Sequence, residues 1–279
     1  LERLQTDHVE YYLMHMLNDI AAWERLTALG IQDWIAEKKK SGQIGNIGFS
    51  FHGGATQFKK IIDSYDWDFC QIQYNYMDEH TQAGTEGLKY AAAKGLPVII
   101  MEPLRGGRLV NALPKAAKAI FASAEPHRSP AEWGLRWIWN HPEVTVVLSG
   151  MNDIAQVEEN VRIASDATAD ALTEKDLEIF EKVKKSINQH MKVPCTGCGY
   201  CMPCPAGIEI NNCARMSLMI RRAPSDAQLT PQMQAKMMKI EECLHCNQCM
   251  SKCPYHLDTP KLLEKNLKDY KEILAGKAY

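Results

Sequence analysis

The sequence at residues 195–205 reads Cys195-Thr-Gly-Cys198-Gly-Tyr-Cys201-Met-Pro-Cys204-Pro205. A second run of the same kind follows, Cys243-Leu-His-Cys246-Asn-Gln-Cys249-Met-Ser-Lys-Cys253-Pro254. These two runs hold all but two of the chain's cysteines, and a proline directly follows the last cysteine of each. One tight loop can bring three such closely spaced thiols to a single small group, and a fourth thiol can then come from elsewhere in the fold. The pattern therefore predicts that the end of the chain folds around bound metal.

The spacing is typical of the [4Fe–4S] clusters of bacterial ferredoxins, in which the fourth cysteine of each run ligates the other cluster. The sequence therefore predicts two clusters with exchanged ligands. The second run has the usual three residues before its last cysteine, whereas the first run has only two. One cluster is expected to take Cys195, Cys198, Cys201 and Cys253, and the other Cys243, Cys246, Cys249 and Cys204.

Two other uses of these cysteines are considered. Tetrahedral zinc sites use CxxC pairs that are usually separated by a longer loop, and four cysteines in one short run are crowded for a single ion. Disulfides are spread through small secreted folds rather than clustered in this way. A zinc-stabilised protein would be colourless, so a visible spectrum discriminates between zinc and iron.

Length and composition are those of an ordinary globular protein with room for one large and one small domain: 279 residues, 46% hydrophobic and 24% charged. A net charge of −2 gives no reason to expect nucleic acid or an anionic membrane as a partner. No apolar run approaches the ~18 residues that span a bilayer, and no signal peptide opens the chain. Clustered thiols without an export signal indicate a reducing cytoplasm.

Short apolar strands alternate with helices through the first two thirds of the chain. Such alternation predicts parallel βαβ units, and five consecutive units favour a (β/α) barrel. A complete barrel takes about 250 residues. Because the chain begins at Leu1 inside a helix-like pattern, we expect about three units to be missing from its front. Strands are predicted at 9–15, which is expected to be buried, and at 44–50, 68–74, 96–101 and 144–149. Helices are predicted at 20–40, 55–64, 85–94 and 174–189. Further helices are predicted to begin at the N-caps Ser129, Asp153 and Thr259, the last of them running to 276.

The predicted fold class is therefore α/β, a partial (β/α)8 TIM-type barrel followed by a small, mainly α-helical, ferredoxin-like dicluster domain. The barrel part is expected over residues 1–168, a linking helix over 169–190 and the dicluster domain over 191–279. Because the core of that domain is partly inorganic, loss of iron should unfold it.

Several segments resemble consecutive barrel strands of the aldo/keto reductases. Residues 7–15 (Asp-His-Val-Glu-Tyr-Tyr-Leu-Met-His) resemble the fourth strand, and residues 42–50 (Gly-Gln-Ile-Gly-Asn-Ile-Gly-Phe-Ser) the fifth. Residues 101–107 (Met-Glu-Pro-Leu-Arg-Gly-Gly) are similar to the seventh, and residues 148–151 with Glu159-Asn160 to the eighth. The resemblance covers residues 1 to about 165, and the cysteine domain resembles the tail of a subgroup that carries a ferredoxin-like module.

This resemblance implies NAD(P)H-dependent reduction of a small-molecule carbonyl by a tetrad of Asp, Tyr, Lys and His. His15 takes the histidine position, which orients the carbonyl at the C-terminal end of its strand. The other three members belong to the first three strands, which this chain lacks. Tyr11 cannot replace the tyrosine, because four residues of strand place it about 13 Å from His15.

The resemblance also implies a set of cofactor contacts. Met101 stands where relatives have a nicotinamide-stacking tyrosine, and Gln156 stands where many have an arginine for the 2′-phosphate, so NADP is not favoured over NAD. Arg105 precedes two glycines and is either a phosphate contact or part of a turn. His52 is predicted to be a loop residue, and Cys70 and Cys213 buried thiols, with Cys213 a possible substitute ligand. The remaining contacts implied are Ser50 and Gln71 at the carboxamide, and Glu159 and Asn160 at the adenine end.

Two functional hypotheses follow. The first is an oxidoreductase, an aldo/keto reductase barrel with an iron–sulfur electron-transfer module that serves a redox partner protein. Nicotinamide gives up two electrons together whereas a cubane takes one, and no flavin motif is present to mediate between them. The second is a non-enzymatic, ferredoxin-like electron carrier with an inactive barrel remnant.

Overall fold

The computed structural model describes residues 1–190, 194–220 and 225–276. The chain divides into two compact units, Leu1–His190 and Met191–Tyr279. Each unit has its own hydrophobic core, so each is described by itself.

The first unit is built on a parallel sheet in which every strand pairs with the next one along the chain, in the order β1-β2-β3-β4-β5. Parallel neighbours in sequential order need a crossover helix after each strand, as in the wall of a (β/α) barrel. The register is regular except for an irregularity at Val98 and Ile99. This confirms the predicted α/β architecture. The strands are β1 (Val9–Met14), β2 (Ile44–Phe51), β3 (Phe69–Gln73), β4 (Val98–Met101) and β5 (Val144–Val147).

The crossover helices begin at the positions where the sequence supplies caps. Ser129 accepts a hydrogen bond from the Glu132 amide, and Asp153 accepts one from the Ala155 amide. The single helix expected over 20–40 is wrong, because Gly30 adopts a left-handed conformation (φ 84°) and divides it into two. The helices are α1 (Ile20–Ala28), α2 (Ile31–Lys40), α3 (Ala55–Ser64), α4 (Gly84–Ala93), α5 (Lys115–Ala122), α6 (Pro130–Trp139), α7 (Ile154–Asp166) and α8 (Glu174–His190).

Aromatic side chains fill the space between this sheet and its helices. Phe49 of β2 lies 5.8 Å from Phe58 of α3, and Trp133 of α6 stacks on Phe121 of α5 at 5.7 Å, measured between ring centroids. Phe180 of α8 joins the same cluster and is almost fully buried. The helix expected as a linker therefore contributes to the core of the first unit.

Both outer strands of the sheet expose apolar side chains. Strand β1 was expected to be buried, and this expectation is wrong: Tyr11 is 67% exposed and Tyr12 is 40% exposed. Near the other edge, Val146 and Leu148 are exposed to a similar degree. In the described residues β1 pairs only with β2 and β5 only with β4, so each outer strand lacks the cover that a second neighbour gives.

The second unit is helical, and residues 194–220 and 225–276 contain no strand. Its core gathers apolar residues such as Ile208, Leu263 and Tyr270, and cysteines of both runs pack against it. Helix α13 was expected to take Thr259 as its cap, but the cap is Asp258, whose carboxylate accepts from the Lys261 amide. No helix in the described parts of the chain has the length and apolarity needed to cross a bilayer. The helices are α9 (Ile210–Cys213), α10 (Met216–Met219), α11 (Pro231–Met238), α12 (Gln248–Ser251) and α13 (Thr259–Leu274).

Candidate functional sites

Ser50 joins the C-terminal ends of β1 and β2. Its Oγ accepts a hydrogen bond from the Met16 amide (2.8 Å), and its carbonyl accepts one from the Leu17 amide (2.9 Å). Met16 has a left-handed backbone (φ 54°), and His15, directly before it, is exposed. Ser50 therefore fixes the turn that carries His15, and its own hydroxyl hydrogen can still be donated.

A buried carboxylate, Asp78, organises the loop after β3. It is 1% exposed and accepts hydrogen bonds from the Gln73 Nε2 (2.8 Å) and the Asn75 Nδ2 (2.9 Å). The Arg105 guanidinium reaches the same carboxylate through Nε (2.8 Å) and Nη2. A carboxylate only accepts, so these contacts fix the orientation of the Gln73 amide, with its nitrogen toward Asp78 and its oxygen away from it.

The fixed amide of Gln73 sets the tautomer of His52 through one further residue. The Nε2 of Gln82 donates to the Oε1 of Gln73, so the Oε1 of Gln82 is the acceptor that meets the His52 Nδ1 at 3.1 Å. Nδ1 therefore carries the hydrogen. Burial lowers the pKa of His52; the hydrogen bond to Gln82 opposes this fall, and the nearby charge of His15 adds to it. The imidazole is thus held neutral at the C-terminal end of β2, on the same edge of the sheet as His15.

Little in the sequence indicates this network. His52 lies in a loop as predicted, directly after β2; its backbone amide donates to the Asn18 side chain (2.7 Å), and its ring belongs to the buried network. The guanidinium of Arg105, a candidate phosphate contact, pairs with Asp78. The one local hint is that polar residues with amide or carboxylate side chains, Gln73, Asn75, Asp78 and Gln82, lie at the end of β3 and in the loop after it.

Several of the predicted cofactor-binding residues contact other side chains of the first unit. The Gln71 side-chain nitrogen lies 3.3 Å from the Met101 sulfur, which joins β3 to β4. Glu159 accepts from the Ser129 hydroxyl (2.5 Å), and the Asn160 amide donates to the Ser149 hydroxyl (3.2 Å). Gln156 is exposed on α7.

In the second unit the cysteines divide between two cavities. Residues of both runs line each cavity, and Cys201 and Ile210 lie on the walls of both. The fourth cysteine of each run therefore lies with the first three cysteines of the other run, which is the division that the dicluster spacing predicts. The first set, on one cavity, is Cys195, Cys198, Cys201 and Cys253; the second set, on the other, is Cys204, Cys243, Cys246 and Cys249.

The loops around these cavities turn tightly because several residues adopt left-handed backbones, among them Gly197 (φ 78°), Gly199 (φ 84°) and Asn247 (φ 57°). One cysteine of each set, Cys198 and Cys246, is exposed, whereas the remaining thiols are buried or half-buried. Each cavity therefore presents one edge to solvent.

The thiols of the first set influence one another electrostatically. Burial first, and then the neighbouring Cys195, Cys198 and Cys253, raise the pKa of Cys201 to about 12. Four thiolates therefore need a bound cation to offset their repulsion. In the described residues no group of three or more His, Cys, Asp or Glu side chains is arranged to hold a single metal ion. Each cavity has the four cysteines of its set on its walls, which is the number and type of ligand that an iron–sulfur cubane takes.

Cys70 and Cys213 lie apart from both sets. Cys70 is fully buried in β3, and burial raises the pKa of its thiol. Cys213 is buried, lines neither cavity, and has its sulfur 3.6 Å from the Lys236 carbonyl. Both agree with the prediction of plain buried thiols.

Comparison with known protein families identifies the family of each unit. Residues 1–185 match the model of the aldo/keto reductase family, and residues 194–258 match that of the 4Fe-4S dicluster domain. The chain belongs to the aldo/keto reductase family. The dicluster match implies iron–sulfur clusters in the second unit, and the predicted fold class and family resemblance are both confirmed.

Individual relatives of this aldo/keto reductase are distant. The uncharacterized oxidoreductase YrpG of Bacillus subtilis (strain 168) is 26% identical over 186 residues, which cover 58% of this chain and 55% of that protein. The aldo-keto reductase AKR11C1 from Bacillus halodurans (holo form) is 23% identical, with a TM-score of 0.49 over 65% of this chain and 63% of its own. An aldo-keto reductase from Klebsiella pneumoniae in complex with NADPH is 21% identical, with a TM-score of 0.49 over 66% of this chain and 61% of its own. The chain thus spans little more than half the length of its curated relative.

Within the aldo/keto reductase unit, the predicted site residues fall into two places. His15, Ser50 and Met101 lie at or next to the C-terminal ends of their strands, and Gln71 lies in the middle of β3. Gln156, Glu159 and Asn160 lie on α7, which follows β5 at the opposite edge of the sheet from β1. The two groups therefore lie toward opposite edges of the sheet.

Proposed function

We propose that this chain is part of an NAD(P)H-dependent carbonyl reductase whose second unit binds two [4Fe–4S] clusters and exchanges electrons with a separate protein. One observation carries the proposal, the division of eight cysteines between two cavities with one ligand exchanged in each direction. A reducing cytoplasm suits such exposed cysteine ligands.

The eight thiolates are proposed as the cluster ligands. A bound cubane accepts or releases one electron at a time. The protein's own part is to hold four thiols around each cavity and to keep one edge of each cavity open at Cys198 and Cys246. Those edges are where a redox partner protein could approach.

In the first unit His15 is proposed to orient a carbonyl substrate. A bound nicotinamide coenzyme would supply the hydride, with Ser50, Gln71 and Met101 at its reactive end and Gln156, Glu159 and Asn160 at its adenine end. Arg105 is proposed to act through Asp78, as an anchor of the loop, rather than on phosphate. Neutral His52 adds a further hydrogen-bonding group near His15.

The complete reductase needs more strands than this sheet supplies. Exposed Tyr11 and Tyr12 at one edge and Val146 and Leu148 near the other are the kind of apolar surface that further barrel strands cover. We propose that further βα units pair with both edges in the whole protein and bring the Asp, Tyr and Lys of the tetrad.

The cluster part is tested by iron and sulfide content and a visible spectrum after anaerobic purification. About eight irons per chain are expected. C253S should lose the same electron paramagnetic resonance (EPR) signal as C198S, and C204S the same signal as C246S, because the ligands cross between the runs. C213S is the matched control and should keep all the iron. Zinc in place of iron, or a C253S spectrum like that of C246S, would refute the assignment.

The reductase part is tested with the full-length protein and a panel of small aldehydes and ketones, following NADPH and NADH oxidation. H15Q should lower kcat by about 10²- to 10⁴-fold, and H127Q, which changes an exposed histidine, should not. The alternative is a non-enzymatic electron carrier, with which the exposed Cys198 and Cys246 agree equally well. Clusters that pass electrons to a one-electron acceptor, in a full-length protein that oxidises neither coenzyme, would establish the carrier instead.

A further inference from the structure

The turn after β1 carries a second polar side chain besides His15. Asn18 lies three residues after His15 and is half-buried. Its Oδ1 accepts a hydrogen bond from the His52 backbone amide (2.7 Å). Because a backbone N–H needs an oxygen as its acceptor, this contact fixes how the Asn18 side chain is turned. The oxygen faces the loop after β2, and the NH2 group lies on the other side of the amide.

The backbone of Asn18 is held as closely as its side chain. A Cβ placed on Gly53 would lie 2.3 Å from the Asn18 carbonyl oxygen, so the turn after β1 can pack on the loop after β2 only because residue 53 has no side chain. The amide of Leu17, directly before Asn18, donates to the Ser50 carbonyl (2.9 Å). Asn18 is therefore fixed relative to the end of β2 through both its backbone and its side chain.

The NH2 group of Asn18 is a donor that the protein itself does not use. Among the described residues, the Asn18 side chain makes one hydrogen bond, to the His52 amide, and that bond occupies its oxygen. Both hydrogens of its Nδ2 therefore stay available. They belong to the same turn as His15, and this turn is bonded to Ser50, whose hydroxyl hydrogen can also be donated. The ends of β1 and β2 thus bring several hydrogen-bond donors together.

The chemistry of these donors indicates what they bind. Phosphate and carboxylate groups are matched by the charged forks of arginine, whereas a side-chain amide or hydroxyl makes an ordinary hydrogen bond to an uncharged carbonyl oxygen. We propose that the Asn18 NH2 group donates to the carbonyl oxygen of a ligand bound at the C-terminal ends of β1 and β2. The reaction proposed above brings two such oxygens, one on the nicotinamide carboxamide and one on the substrate, so this inference rests on the proposed function.

Substitutions can separate the two halves of the Asn18 side chain. N18D keeps an oxygen for the His52 amide and removes both Nδ2 donors, whereas N18A removes the acceptor and the donors together. If Asn18 only held the loop, N18D would behave like the parent protein. If its NH2 group contacts the ligand, N18D and N18A should both weaken that contact.

The test uses the full-length protein and measures the dissociation constants of NADPH and NADH and the kinetics with small aldehydes. N18D should weaken ligand recognition by about 10-fold, which is the loss of one hydrogen bond. A raised coenzyme dissociation constant would identify the carboxamide as the acceptor. An unchanged dissociation constant with a lowered kcat/KM for the aldehyde would identify the substrate carbonyl.

N140D is the matched control. The Oδ1 of Asn140 also accepts from a backbone amide, that of Leu172 (2.8 Å), so aspartate can replace it in the same way. Asn140 ends α6 and precedes β5, which places it toward the N-terminal end of that strand, away from His15. N140D should change neither the coenzyme dissociation constant nor kcat/KM.

The outcomes separate this inference from the function on which it rests. A full-length parent protein that neither binds nor oxidises the coenzymes would refute both. An active parent, with N18D or N18A unchanged in both quantities, would refute the role of Asn18 alone. If N18D does not fold, NMR of the parent protein with nitrogen-15-labelled asparagine decides. The side-chain NH2 signal that N18A lacks should shift when coenzyme or aldehyde binds, and a signal that moves with neither would overturn the proposal.

Discussion

The two units of this chain differ in what stabilises each of them. The first has a continuous aromatic core in which Phe49, Trp133 and Phe180 are fully buried between a parallel sheet and its helices. The second has four-residue helices such as α9 and α12, and half-buried thiols pack against its small core. Apolar burial can stabilise the first unit by itself, whereas the second matches small domains whose folding depends on bound metal.

Removal of iron should have the largest effect and should act on one unit only. Treatment with a reductant and an iron chelator is expected to unfold residues 194–276, because the thiols then repel one another and the remaining core is small. The first unit should keep its own thermal transition. Circular dichroism and limited proteolysis of the treated protein check both expectations. A metal-free second unit that still unfolds cooperatively would remove the contrast between the units.

Truncation of a core side chain in the first unit should destabilise that unit and leave the second unit unchanged. Trp133 is fully buried against Phe121, so Trp133→Ala should lower the free energy of unfolding of the first unit by about 3–5 kcal/mol. Iron content should stay unchanged. Urea denaturation followed by circular dichroism measures the loss. Leu29→Ala, at a side chain that is 78% exposed, is the control and should cost little.

The difference between the units also explains which features the sequence predicted. The strands of the first unit were placed to within about two residues, because each is a short apolar run that a local pattern reveals. Burial of β1 was mispredicted, since Tyr11 and Tyr12 depend on what lies beside the strand and not on the strand itself. The break in the predicted 20–40 helix was missed because glycine permits the left-handed backbone found at Gly30 but does not require it.

The cysteine sets and the Asp78 network also differ in how far the sequence predicts them. The cysteine sets follow from spacing along the chain, because three ligands on one loop are brought together by local geometry. The Asp78 network joins residues from positions 52, 73, 82 and 105, which meet only when the loop after β3 folds back. None of these residues carries a spacing signal, so only the folded chain shows that His52 and Arg105 belong to one network.

Removing Gln82 from the centre of the Asp78 network should lower the stability of the first unit by less than the loss of Trp133. Gln82→Met removes the donor to the Gln73 oxygen and the acceptor of the His52 Nδ1 hydrogen. A buried acceptor left without its partner costs about 1–3 kcal/mol, so the first unit should be destabilised by that amount. Nitrogen-15 NMR should also show His52 changing from a single Nδ1–H tautomer to a mixture. Gln32→Met, at a half-buried side chain outside the network, should change neither quantity.

The smallest expected effect is a pH dependence confined to the first unit. Burial first, and then His15, lower the pKa of His52 in the folded chain, whereas the unfolded chain binds a proton near the ordinary value of about 6.5. The unfolded state therefore holds more protons just below that pH. The contribution of His52 to stability is complete above it and declines as the pH falls toward the lowered value. Urea denaturation at a series of pH values should show this decline, and H52Q should reduce it while H127Q, at an exposed position, should not. An equal slope in the parent and H52Q would mean that burial in the folded first unit does not lower the pKa of His52.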